Sequence, residues 1–228
     1  MNIHDTSHTV YEGARTFFAQ TVKSDNKRYG SYSGVDPVKI QRRQANRSMA
    51  STLLTTAWNQ HMVGKTPLQY GMWIHSQGTG AAGNCTEMSC LALYYFAFAQ
   101  QNSPGLGFPV RMVGVPNPGD HVFLIAGDLP TSIIGEMYYQ VRSTVSLFML
   151  CNSVAPNAES YAVDVWAGIF CHTRRYPQEF LRKMAKWSSR GKEVRWAADW
   201  EDPGVDSYTD SFVNSKFYLR DVSLPFTR

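Results

Sequence analysis

A chain of 228 residues with 43% hydrophobic and 18% charged residues holds enough apolar material for a packed core, which excludes a disordered chain. No window holds about 18 uninterrupted apolar residues, and the N-terminal MNIHDTSHTVYEGARTFF has neither a basic n-region nor an apolar h-region; no membrane span and no cleaved secretory signal are expected. The net charge of +4 is a mild excess, gathered at KIQRRQANR (39–47) and RRYPQEFLRKMAKWSSRGK (174–192). We read both clusters as solvated helix faces and expect no nucleic-acid partner, since aromatic and acidic residues break up the second and no nucleic-acid motif accompanies it.

Residues 1–35 are polar; a short helix is expected near 8–22, followed by a loop. From Pro37 a helical pattern runs to about 62, with apolar positions at Ile40, Met49, Leu53, Leu54, Trp58 and Met62. Gly64 and Pro67 end it. Residues 64–84 read as a long glycine-punctuated loop, a type of segment that is often functional. A helix over 85–101 is apolar nearly all round, which marks a buried central helix. VRMVGV (110–115), PNPGD (116–120) and HVFLIAG (121–127) form an antiparallel hairpin. Residues 131–154 lean towards helix, and SYAVDVWAG (160–168) reads as a strand that ends at Gly168. A helix near 177–189 precedes a loop with a short strand. The order of elements gives an α+β fold. We divide it into an N-terminal helical segment, 1–63, packed on a core of 64–228, the two forming one structural domain.

The four cysteines, Cys85, Cys90, Cys151 and Cys171, form no C-x-x-C pair, which argues against a zinc ribbon or a thioredoxin motif. Reduced thiols and a cytosolic working environment are expected. Cys85 differs from the others in its setting. Asn84 before it and Glu87 after it form a capping-box signature, so Cys85 takes the first helical position. There unpaired N–H groups and the positive end of the helix dipole favour a thiolate. The alternative is a cysteine that merely begins a helix.

A nucleophilic cysteine needs a base. His121 opens a core strand directly after a turn, where it projects over the sheet edge. His172 reads as part of a surface loop, and His75 lies in the loop before Cys85; both rank below His121. The base needs an orienting acceptor. Asp164 interrupts the apolar strand YAVDVWAG, where an unpaired carboxylate is costly. Asp128 ends the strand of His121, ~23 Å away along extended chain. Asp120 is suited to shaping the turn. The oxyanion would be stabilised partly by the backbone N–H of Cys85.

GNCTEMS, GDHVFLIAG and YAVDVWAG, in that order, resemble the Cys-His-Asp core of the papain-like and transglutaminase-like superfamily, and most closely its bacterial effector and toxin-domain branch. The resemblance covers about 83–168. It implies a central buried helix packed on an antiparallel sheet, with Cys85 as nucleophile, His121 as base and Asp164 as orienter. It also implies an upstream glutamine in the oxyanion hole, for which Gln69 and Gln77 are the candidates, and an insertion near 129–159. Trp166 would shield the His–Asp pair or serve ordinary core packing.

By resemblance the chain is a cysteine hydrolase that attacks a carboxamide through a thioester. The choice among glutamine deamidase, protease and transglutaminase is not separable by these motifs, and deamidation of a host protein is favoured by the resemblance to compact effectors. Such effectors leave the producing cell without a cleaved signal peptide, act in a host cytoplasm, and use a secretion chaperone or a larger toxin parent chain. A non-catalytic binding module with the same fold is the competing reading. No cofactor is expected. A metal site on Cys85 and His121 lacks a further ligand at local spacing.

Overall fold

The structure is a computed structural model and describes residues 2–21, 24–29, 36–103, 105–116, 120–130, 143, 145–196, 199–204 and 206–221. Helix α1 (Ile3–Ala19) begins earlier than its expected start because Asn2 caps it, accepting the Asp5 N–H at 2.8 Å. Its buried face includes Ile3, Val10, Tyr11, Ala14 and Phe18, at the three-to-four-residue spacing of a helix stripe. That face packs on α4 (Cys85–Gln101). Helix α2 (Pro37–Ala57) starts behind Asp36, whose carboxylate accepts the Val38 N–H, with Pro37 pre-set for the first turn. It ends in a π-helical turn, Trp58–Met62. The expected apolar stripe of α2 is only partly buried. Ala50 and Ala57 touch the core, whereas Met49 and Trp58 are exposed.

The expected loop over 64–84 is instead largely helix α3 (Pro67–Gln77). Thr66 and Gln69 cap its start reciprocally and Pro67 stands at its first turn, so the glycines and the proline that suggested a loop are accommodated. Gly71 lets α3 pass directly over α4. A Cβ at this position would lie 2.0 Å from the Cys90 carbonyl oxygen.

Strands β2 (Val110–Val115) and β3 (His121–Gly127) pair in register from Val115↔His121 to Val110↔Ala126. Strand β4 (Ser160–Asp164) adds to β3, and β5 (Ile169–His172) to β4. The expected strand to Gly168 therefore ends at Asp164. Residues 165–168 turn the chain, with Gly168 at φ 69°, a left-handed conformation that glycine adopts without strain. Strand β8 (Tyr218–Asp221), not anticipated from the sequence, closes the other edge against β2. The antiparallel order is β5-β4-β3-β2-β8. A second antiparallel sheet joins β1 (Lys27–Tyr29), β6 (Lys192–Trp196) and β7 (Asp199–Glu201) where loop with one short strand was expected.

Helices α5 (Leu147–Ser153), α6 (Tyr176–Ser188) and α7 (Asp206–Asn214) complete the α+β fold. Of the segment 131–154 read as helical, residues 131–142 and 144 lie outside the described residues. Helix α4 is the central element, with Leu91, Ala92, Leu93 and Phe96 fully buried, and it packs against β3, α1 and α3. Among the described residues no helix is long and apolar enough to cross a membrane.

Candidate active site

Cys85 is the first residue of α4 and is 8% exposed. Glu87 fixes the helix start by accepting the Asn84 N–H through Oε2 at 3.0 Å. Its other carboxylate oxygen accepts the Tyr70 hydroxyl from α3 at 3.3 Å. Burial pushes the Glu87 carboxyl up, against the lowering effect of these donors. The start of α4 is thus held by a carboxylate that α3 covers.

His121, 2% exposed, opens β3, and Asp164, fully buried, closes β4. His121 Nε2 and Asp164 Oδ2 are 2.8 Å apart. Two further groups hold the carboxylate: the Tyr176 hydroxyl donates to Oδ2 and the Ala167 N–H to Oδ1, each at 2.8 Å. Burial alone would raise the Asp164 pKa, but the charge and hydrogen bond of His121, with the Ala167 and Tyr176 donors, hold it below its ordinary value. For His121 burial favours the neutral ring. The Asp164 charge, with hydrogen bonds to Asp164 and Cys85, overrides that and raises the pKa to about 10. With Nε2 engaged by Asp164, the ring nitrogen left for the Cys85 sulfur is Nδ1. Rings of Trp166, Phe212 and Phe180 surround the imidazole at centroid distances of 4.9, 5.5 and 5.9 Å.

The competing histidines are engaged elsewhere. His75 Nδ1 lies 3.2 Å from the Tyr95 hydroxyl, on α3 rather than in a loop. His172 ends β5, rather than a surface loop, and its Nε2 contacts the Ala158 carbonyl oxygen at 2.9 Å. Asp120 sits at φ 34° in the turn before His121. The remaining cysteines differ from Cys85 in setting. Cys90 is buried one and a half turns into α4, and burial pushes the thiol of Cys151 far up and that of Cys171 up to about 12.

Both expected oxyanion glutamines are committed within α3. Gln69 Oε1 accepts the Thr66 N–H in the capping box, and Gln77 Nε2 donates to the Trp73 carbonyl oxygen. The cleft over the thiol, of about 320 Å³, is lined instead by Asn26, Leu54, Trp58, Asn84, Cys85 and Asp120, among others. Asn26 is the side-chain amide that the sequence reading missed. Its Oδ1 accepts the Trp166 indole N–H at 2.8 Å and also the Ser24 hydroxyl, which fixes the amide plane and leaves Nδ2 as its remaining donor. The same Ser24 hydroxyl lies 2.7 Å from Asn84 Oδ1, so its one proton is shared between the two amide oxygens, and Asn84 Nδ2 donates to Asp25 Oδ1 at 2.7 Å. The segment is therefore tied to Asn84, the residue before Cys85. Lys27 was missed as well. Its Nζ donates to the Trp166 carbonyl oxygen at 2.9 Å and lies 4.6 Å from the Trp166 ring centre. Burial, aided by the Lys192 charge, lowers its pKa to about 7 against the opposing pull of Asp164 and Cys85.

Two other grooves, of about 400 and 500 Å³, lie between α1, β5 and α6 and contain none of the three residues. The arrangement of thiol, imidazole and carboxylate can perform nucleophilic acyl transfer. No family model, curated protein or solved structure matches the chain.

Proposed function

We propose that the chain is a cysteine-dependent acyl-transfer hydrolase of papain-like type that deamidates glutamine on a host protein, as a bacterial effector or toxin domain. The observation that carries this reading is the buried His121–Asp164 pair, Nε2 to Oδ2 at 2.8 Å, with the Cys85 thiol at the start of α4 near enough to add to the rise in the His121 pKa.

The Cys85 sulfur attacks the carboxamide carbon and the C=O electron pair moves to oxygen. The Cys85 backbone N–H, which has no intrahelical partner at a helix start, and Asn26 Nδ2 receive that oxyanion. His121 stays protonated at neutral pH and gives its Nδ1 proton to the departing nitrogen, which leaves as ammonia. The neutral ring then takes a proton from water, whose oxygen attacks the thioester. Collapse expels Cys85 and leaves a glutamate side chain. Atoms balance as carboxamide plus water to carboxylic acid plus ammonia. Asp164 keeps the ring oriented throughout and stabilises its cation. A cleft of about 320 Å³ stands at the small end of ligand pockets, ~300 Å³, which suits one side chain better than an extended peptide.

Mass spectrometry of host proteins treated with the wild type or Cys85→Ala tests this. The expected result is an amide-to-acid mass increase at a glutamine with the wild type only. A cleaved target chain would overturn deamidation in favour of proteolysis.

A further inference from the structure

Helix α2 is unusual for its length. It runs for 21 residues, yet among its described side chains only Ala50 and Ala57 are fully buried. Helices in proteins draw most of their stability from burying an apolar face, and this one buries little. Its sequence carries Lys39, Arg42, Arg43 and Arg47 and no carboxylate. Among the described residues neither Arg42 nor Arg47 forms an ion pair. Arg47 instead lies 5.9 Å from the Trp200 ring, beside an Arg28 that Glu193 already neutralises.

The exposed apolar residues gather on the same segment. Of the ten large hydrophobic residues that are exposed among the described residues, Val38, Met49, Trp58, Val63 and Met72 lie between 38 and 72. Trp58 is 51% exposed and also lines the cleft over Cys85, together with Leu54 of α2. Its π-helical turn is braced from behind, where His61 stacks on Trp73 at 4.3 Å. Single-turn π segments recur at functional sites, and Trp, Met and Arg are enriched in protein interfaces. A basic helix flanked by exposed Met and Trp therefore runs directly into the wall of the catalytic cleft.

From this continuity and charge we infer that α2 and its π-helical turn are the docking surface for the protein substrate, and that they take a substrate surface with an apolar centre and acidic surroundings. The inference rests on the proposed hydrolase reading and names the class of substrate. Trp58 contacts the residues flanking the target glutamine, and the arginines draw in acidic groups along α2, an attraction that salt screens.

The test uses full-length Cys85→Ala protein, which binds without turnover, and a fluorescein-labelled peptide with one leucine and one glutamine embedded in glutamates. Fluorescence anisotropy at low salt should show binding, with none for the same peptide carrying lysines in place of the glutamates. Adding Arg42→Glu and Arg47→Glu should weaken binding about fivefold, the effect of two exposed charge pairs. The single Arg42→Gln change, at an exposed helix position, should weaken it about twofold and serves if the double reversal does not fold. Equal binding of the acidic peptide by parent and charge variants overturns the proposal. So does tighter binding of labelled duplex DNA than of the peptide at equal salt, lost on charge reversal, which would make α2 a nucleic-acid surface. Ammonia release by the wild type is read separately. Its absence with selective binding intact counts against the hydrolase reading, while the docking surface stands.

Discussion

The Trp166 indole N–H donates to Asn26 Oδ1 at 2.8 Å across 140 positions of chain, while the same ring lies 4.9 Å from the His121 imidazole. One side chain thus contacts both the imidazole and the Asn26 amide. Trp166 follows Asp164 by two residues, so the β4–β5 turn supports the carboxylate, the imidazole cover and the proposed oxyanion donor together. Asn26→Ala should lower kcat about 10²- to 10³-fold with little change in KM, as for loss of one oxyanion donor. Alkylation of Cys85 by iodoacetamide, which forms no oxyanion, should continue. Steady-state ammonia release beside the alkylation rate checks this. A matched fall in both would assign Asn26 to thiol positioning instead.

Asp164 carries three donors, from His121, Tyr176 and Ala167. Replacing the carboxylate by Asn removes the charge that holds the ring cation, and kcat should fall about 10³- to 10⁴-fold. Tyr176→Phe leaves two donors and the ring packing on Phe123 at 4.2 Å. It should cost about 1.5–3 kcal/mol of stability, the worth of a hydrogen bond to a charged group, with a smaller loss of kcat. Denaturant titration and turnover on the two variants separate the effects. Equal damage to turnover by both would place Tyr176 in the chemistry.

The chemistry-bearing residues were legible because each stands at an element start or end that local physics dictates. The capping pair Asn84 and Glu87 marks where α4 begins, and a turn followed by alternating apolar residues marks β3 at His121. Asp164 was legible as a carboxylate in an apolar run, although the run contained a turn and not a strand end at Gly168. Helix α3 was hidden because its one glycine, Gly71, serves close packing on α4, a tertiary fact with no local signature. Asn26 and Lys27 were hidden for the same reason. Their short polar segment has no periodicity, and only long-range contacts to Trp166 give them a role. Met49 and Trp58 matched a helical spacing, but α2 meets the core through Ala50 and Ala57 instead.

Protonation of the buried pair makes stability depend on pH in a definite direction. His121 is raised from an ordinary 6.5 to about 10, so its contribution is fully present below 6.5 and is lost as pH rises through 10. Asp164 is held below its ordinary 3.8, so its contribution is present above 3.8 and is lost as pH falls through the lower folded value. Both are present together between about 3.8 and 6.5. Lys27 runs the other way. Lowered from 10.5 to about 7, it penalises the fold most below 7 and releases that penalty as pH rises towards 10.5. Urea midpoints from pH 6 to 10 should therefore fall more steeply in Lys27→Gln than in the wild type, and least in Asp164→Asn. Turnover should also fall along a basic limb near pH 10, where His121 ceases to be a proton donor. A basic limb that persists in Asp164→Asn at the same pH would detach it from His121.

Gly71 and Gly13 make a paired test of the packing that holds the nucleophile helix in place. Both lie inside helices, where Gly→Ala ordinarily stabilises by up to ~1 kcal/mol. At Gly13 an added Cβ would meet the Tyr95 ring at 3.5 Å, an ordinary contact, so Gly13→Ala should gain about 0.5–1 kcal/mol. At Gly71 the same Cβ would lie 2.0 Å from the Cys90 carbonyl oxygen and 3.1 Å from Tyr94. Backbone within α4 cannot yield as a side-chain tip does, so α3 must move away. Gly71→Ala should therefore destabilise by about 1–3 kcal/mol despite its better helix propensity. The displacement also draws Tyr70 from Glu87, the residue that fixes the start of α4, so turnover should fall along with stability. Denaturant titration of the two variants decides the matter. A stabilised Gly71→Ala protein with full turnover would mean that α3 does not brace Cys85.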